Sequence, residues 1–126
     1  MGYSSILLID DDEDDQEIFL AAVEEISTSA TCIAYNNART ALQKLENGEL
    51  SVDIIFLDLN MPIMNGKQFL IAFMKNDSLK KIPVIVLSTS SQQQAIHEAK
   101  SLGATDFITK PADYVELKNI LFTILV

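Results

Sequence analysis

Six consecutive acidic residues, Asp10-Asp11-Asp12-Glu13-Asp14-Asp15, directly follow an apolar run, Ile6-Leu7-Leu8-Ile9, and carry six of the chain's 18 carboxylates. Like charges so close repel, and the arrangement costs stability unless a cation or water offsets it. Acids in the first turn of a helix suit the macrodipole, which accounts for residues 12–15 as the solvated start of a helix. It accounts poorly for Asp10 and Asp11, which sit on the strand side of the junction. Asp58 ends a second apolar run, Ile54-Ile55-Phe56-Leu57. If the two runs are neighbouring parallel strands, three carboxylates converge at one edge of the sheet and form a donor set for a hard divalent cation. A calcium-loop reading of residues 12–15 fails, because the central glycine, the preceding helix and the closing glutamate are missing.

The elements that must position these acids alternate with little linker. β-rich runs occupy residues 4–9, 31–35, 52–57, 83–88 and 105–109. Between them, residues 14–27 place Ile18, Phe19, Ala22, Val23 and Ile26 on one helical face, and helical patterns recur over 37–47, 66–76, 91–102 and 113–125. Asn47-Gly48 and Gly103 serve as helix stops. Five strands alternating with five helices predict an α/β fold: a doubly wound (βα)5 unit whose parallel sheet is covered on both faces. Continuous rather than alternating apolar strands fit burial on both faces. With right-handed crossovers, the expected strand order is the flavodoxin-like 2-1-3-4-5, with the site at the carboxyl ends of the first and third strands.

Taken strand by strand, that edge receives Asp10 and Asp11, Asp58, Ser88 and Lys110, while the second strand brings only Tyr35-Asn36, read as structural. An acid cluster, a hydroxyl and an ammonium group at one rim can hold Mg²⁺ (or Mn²⁺) and a phosphoryl group together. Mg²⁺ takes hard oxygen ligands and keeps several waters, so two carboxylates and a backbone carbonyl suffice. Phosphoryl transfer needs chiefly positioning and neutralisation of charge, and an aspartate can serve as its nucleophile.

Bulk properties bound the reading. At 126 residues the chain is one domain with a sizeable core, expected as residues 1–126 without an output domain. A net charge of −9 with nine unclustered Lys and Arg argues against nucleic acid and anionic membrane as partners. The lone Cys32 can form no internal disulfide and reads as a buried strand residue in a reducing compartment. No signal peptide or membrane span is recognisable, so the expected location is cytoplasmic. His97, in a Gln/Glu/Lys-rich helix, reads as a solvated surface residue.

Four segments in order, LLIDDDEDD, FLDLNMPIMNG, PVIVLSTS and GATDFITKP, give the chain a whole-length resemblance to the receiver domain of bacterial two-component response regulators. The resemblance implies that Asp58 is the phosphoacceptor, Asp11 a direct metal ligand, Asp10 a ligand acting through water, and Asn60 the donor of a backbone carbonyl. It makes Lys110 the partner of the acceptor or its phosphoryl group, Ser88 the switch hydroxyl and Phe107 the switch aromatic, and it allows a cis Lys110–Pro111 peptide. Phe107 stands where many relatives have Tyr, so its switching is a matter of packing alone. Thr89 stands where many have Ala or Gly. A branched side chain there hinders an attacking water or a small donor, which implies a long-lived phosphoryl state.

The implied partner is a histidine kinase or a histidine phosphotransfer protein. LSTS and the LNMP loop look closest to single-domain regulators that serve phytochrome-type or hybrid kinases. Such a domain catalyses only its own phosphorylation and dephosphorylation, and acts by switching a binding surface or relaying the group. An aspartyl-phosphate phosphatase fits less well, since it carries a second acid where this chain has Asn60 and needs a larger chain. The remaining alternative is a receiver-like scaffold that binds independently of phosphorylation. In the last helix, Leu117, Ile120, Leu121 and Ile124 are expected to cover the sheet. Val115, Phe122, Leu125 and Val126 fall largely off that stripe and suggest a surface for self-association or a partner.

Overall fold

A computed structural model describes residues 3–26, 29–59, 64–88, 93–111 and 113–126. Strands β1 (Ser5–Ile9), β2 (Thr31–Tyr35), β3 (Ile54–Asp58), β4 (Val84–Ser88) and β5 (Asp106–Thr109) alternate with helices α1 (Glu13–Ile26), α2 (Ala38–Glu46), α3 (Gly66–Met74), α4 (Gln93–Ser101) and α5 (Tyr114–Leu125). All strand pairs are parallel and the sheet order is β2-β1-β3-β4-β5, as expected from the sequence.

Local chemistry sets the helix ends. Asp12 Oδ1 accepts from the backbone N–H of Asp14 and Asp15 at 2.9 and 3.1 Å, which starts α1. Asn37 caps α2, Asn65 and Gln68 form a reciprocal capping box on α3, and Asp113 caps α5. Beyond α4, Gly103 takes φ +113°, its N–H bonding Lys100 O and the N–H of Ala104 bonding Ala99 O. That paired arrangement satisfies the last carbonyls, and its left-handed position suits glycine.

Two apolar layers flank the sheet. Leu7, Ile9, Ile55, Leu57, Val84 and Val86 face α2, α3 and α4, where Phe69 and Phe73 stack at 5.5 Å. Ile6, Leu8, Ile54, Phe56, Ile85 and Leu87 face α1 and α5, where Phe19 meets Phe56 edge-on at 5.0 Å. On α1, Phe19, Ala22 and Val23 are buried but Ile18 is exposed, contrary to the expected stripe. It lies instead at a cleft between α1 and α5. Leu125 is a second correction: only 2% exposed, it packs with Leu117 and Leu121 in the α1/α5 layer, because that layer occupies the full length of α5. Val115, Phe122 and Val126 are exposed at 62, 53 and 54%. Cys32 is partly buried on β2, and burial pushes its thiol up to about 12. His97 is exposed. No helix among the described residues is long and apolar enough to cross a membrane.

Asp53 ties the start of β1 to that of β3, its Oδ2 accepting from Ser5 N–H at 2.9 Å and from Ser4 hydroxyl and N–H at 2.9 and 3.2 Å. These bonds, that of Ser5 N–H foremost, hold its carboxyl below its ordinary value of 3.8. A group depressed in the folded state contributes stability that is present above its unfolded value and lost as pH falls through the folded one. An Asp53→Ala variant should therefore be less stable than wild type at pH 7, the gap narrowing below about pH 4. Urea midpoints across pH decide this, and a gap that does not change with pH would refute the role given to the carboxylate.

Candidate functional site

Pleat and register bring the expected residues together. Successive side chains alternate between faces, so Asp10 follows Ile6 and Leu8, Asp58 follows Ile54 and Phe56, and Lys110 follows Ile108, all on the α1/α5 side. Leu8 pairs with Phe56 and Ile9 with Leu57, so the next step along the register sets Asp10 beside Asp58. Ser88 continues the opposite series of Val84 and Val86, the face that Phe107 joins on β5 beside Val86.

Carboxylate oxygens of Asp10, Asp11 and Asp58 all lie within 4.8 Å of one another. Asp10 and Asp58 are buried, while Asp11 is exposed. Lys110 Nζ donates to Asp15 Oδ2 at 2.9 Å and to Asp10 Oδ2 at 3.1 Å, and stands 3.7 Å from Asp58 Oδ2. Asp10 Oδ1 accepts the Asp12 N–H at 3.0 Å, and Gln16 Nε2 donates to the Asp10 carbonyl. Burial pushes Asp10 above the ordinary carboxylate range despite the Asp12 N–H and the Lys110 charge. Burial alone would lower Lys110, but its bond to Asp15 and the charges of Asp10 and Asp58 outweigh this and raise it. Lys110 is thus a fixed cation among acids.

The donor set fits a hard divalent cation. Three carboxylates can present oxygen ligands, and the exposed one leaves room for water in the coordination shell. Asn60 and Thr89 lie outside the described residues. Ser88 is 1% exposed, and its carbonyl accepts from Lys110 N–H at 2.7 Å, which fixes the start of the loop after β5. The described peptide bonds include no cis bond, so Lys110–Pro111 is trans, the lower-energy isomer of an X–Pro bond.

Asp15 was not expected at the site. As the third residue after the Asp12 cap it looks like any first-turn acid, yet the tilt of helical Cα–Cβ bonds toward the N-terminus aims it back at the sheet edge. That tilt was the available signal. With Asp10, Lys110, Pro111 and Asp113 it rims a cleft of about 320 Å³ whose apolar walls include Ile18, Phe19, Tyr114 and Leu117.

A family model for the response regulator receiver domain matches residues 6–122. The chain belongs to this family. Among curated relatives it is 32% identical to the two-component response regulator ORR1 of Oryza sativa subsp. japonica, over 94% of this chain and 54% of the relative. It is 40% identical to a protein-glutamate methylesterase/protein-glutamine glutaminase of Bacillus licheniformis, over 79% of this chain and 26% of that protein. The receiver thus spans about half of the first relative and about a quarter of the second. Among solved structures, the phosphorylated cyanobacterial phytochrome response regulator RcpA superposes with TM-score 0.87 at 27% identity, covering 96% of this chain and 90% of that one. The Mn²⁺-bound form of response regulator Rcp1 gives 0.83 at 26%, covering 95% and 90%. The chemotaxis response regulator CheY4 of Vibrio cholerae gives 0.82 at 25%, covering 97% and 98%. Receivers are signalling domains that bind divalent metal at an acidic pocket and typically interact with histidine kinases or phosphotransfer proteins.

Gly66, at the start of α3, packs against the backbone of Asp58 and Leu59 beside the site. A Cβ there would lie 2.7 Å from Leu59 Cα and 2.9 Å from Asp58 O, and the Gly66 N–H bonds Leu59 O at 3.0 Å. Backbone cannot yield as a flexible side chain does. Gly66→Ala should therefore cost about 2–3 kcal/mol. Gly48→Ala should cost only about 1 kcal/mol, from its φ of +82° in open space. Equal losses in chemical denaturation would contradict the crowding.

Proposed function

We propose that this receiver accepts a phosphoryl group on Asp58 from the phosphohistidine of a histidine kinase or phosphotransfer protein. The observation that carries the reading is the convergence of Asp10, Asp11 and Asp58 within 4.8 Å, with Lys110 Nζ 3.7 Å from Asp58. Asp58 attacks phosphorus, the phosphorus–nitrogen bond breaks, and its electron pair returns to the imidazole, which takes up a proton. Mg²⁺, when bound, neutralises charge on the phosphoryl oxygens. Asp11 and Asp58 would hold it directly, Asp10 through water, and Asn60 through its backbone carbonyl. Lys110 offsets the remaining negative charge. The domain acts on no other substrate.

The added charge switches a protein-interaction surface or is relayed to another histidine. Ser88 lies at the same edge and on the same sheet face as Phe107, so a hydroxyl drawn toward the phosphoryl group frees space for the ring to repack. Thr89 tunes access of water and small donors. Likeness to RcpA supports a phytochrome-type kinase as the source.

Incubation with Mg²⁺ and acetyl phosphate should add one phosphoryl group by intact mass. The gain should vanish in Asp58→Asn and with EDTA, and slow on the order of 100-fold in Lys110→Met. No gain from acetyl phosphate, together with no beryllofluoride complex, would leave a phosphorylation-independent scaffold as the better reading.

The stripe of Val115, Phe122 and Val126 is assigned to self-association. Sedimentation velocity should show wild type dimerising as concentration rises and Phe122→Ser remaining monomeric. A monomeric wild type at every concentration, phosphorylated or not, would remove this assignment.

A further inference from the structure

We infer that Asp15 is a positioning residue for phosphoryl transfer, holding Lys110 off Asp58 in the resting domain and releasing it when Asp58 gains its phosphoryl group. The inference rests on Asp58 being the phosphoacceptor.

An ammonium is a compact charge with three N–H donors. Two are committed, to Asp15 at 2.9 Å and to Asp10 at 3.1 Å, whereas the 3.7 Å to Asp58 exceeds hydrogen-bond range. The nearest partner of the site's cation is therefore a carboxylate on α1 rather than the one that reacts. Asp15 is fixed there by backbone, since its own N–H bonds Asp12 Oδ1 and its short side chain leaves little reach.

Phosphorylation adds negative charge and strong acceptor oxygens at Asp58, and Lys110 must turn toward them. Its third N–H is open to them, but closing the 3.7 Å gap draws the ammonium away from one of its two present partners. The Asp10 side chain is 3% exposed, so an oxygen released there has little bulk water to turn to. The Asp15 side chain is 42% exposed, so water takes over as soon as the ammonium leaves. Asp15 is accordingly the partner that lets go. Until then it competes with Asp58 for the ammonium.

The test measures phosphorylation rate against acetyl phosphate concentration in Mg²⁺ for wild type, Asp15→Asn, Asp15→Glu and Asp14→Asn. Breaking a partly exposed ion pair should raise the limiting rate of Asp15→Asn about three- to fivefold. The half-saturating donor concentration should change little. Asp15→Glu should return the limiting rate toward wild type. Asp14→Asn removes the same charge one residue away, so a field effect alone would appear equally in both variants. A crystal structure of unphosphorylated Asp15→Asn should place Lys110 Nζ within about 3.2 Å of an Asp58 oxygen.

An Asp15→Asn limiting rate that is unchanged, lowered or matched by Asp14→Asn would overturn the inference, as would Lys110 keeping its distance from Asp58. If wild type itself gains no phosphoryl group while Lys110 moves in the crystal, the phosphoacceptor reading falls and the transfer role falls with it. If wild type is phosphorylated and Asp15→Asn behaves identically, only the role of Asp15 falls.

Discussion

Three carboxylates meet the Lys110 ammonium at the carboxyl edge of the sheet, two of them buried, and the rest of the site is arranged around that meeting. Ionised carboxylates out of water and close together are unstable alone. Lys110 offsets them from the residue after β5, reaching past the end of β4 to Asp58 on β3 and to Asp10 after β1, so a single side chain couples strands distant in sequence. The coupling requires parallel register. One residue of slip on β1 or β3 would turn Asp10 or Asp58 to the opposite face and leave the ammonium with fewer partners. The continuous apolar runs Ile6–Ile9 of β1, Ile54–Leu57 of β3 and Val84–Leu87 of β4 hold that register from beneath by filling both layers.

That part of the molecule was legible because it depends on period and position. Runs such as Ile6–Ile9 and Ile54–Leu57 can be buried on both faces only as central parallel strands, and the acids that end them must emerge at the same edge. Ser88 and Lys110 follow from the same reading. Element ends moved by a residue or two because caps decide them: Asp12, Asn65 and Asp113 accept backbone N–H groups whose partners periodicity alone does not specify.

What the sequence hid depends on the packing of one helix against another. Leu125 seemed to lie off the α5 stripe, yet the α1/α5 layer extends to the end of the helix and covers it. Ile18 has the spacing of a core residue but faces the cleft between α1 and α5, because the approach of those helices sets which residues are covered. Tyr114 OH donates to Glu25, and Lys118 Nζ lies 3.6 Å from Glu25, contacts that tie α1 to α5 and appear in no periodic pattern. Asp15 was hidden for a related reason. In a run of six acids its type carries no distinguishing information, and only the cap at Asp12 sets its direction.

Exposure divides the acids into two kinds. Asp10 and Asp58 are buried, so their charges must always be met by a cation, and their positions are fixed by strands. Asp11 is exposed and Asp15 half-exposed, so each can exchange a partner for water at little cost. A site that must bind and release charge needs both kinds. The buried pair is fixed in place by strands, and the solvent-facing pair can change partners without stranding a charge in the core. Asp10, Asp11, Asp12 and Asp15, neighbours in one acidic run, thus occupy distinct environments, set by where the strand ends and the helix begins.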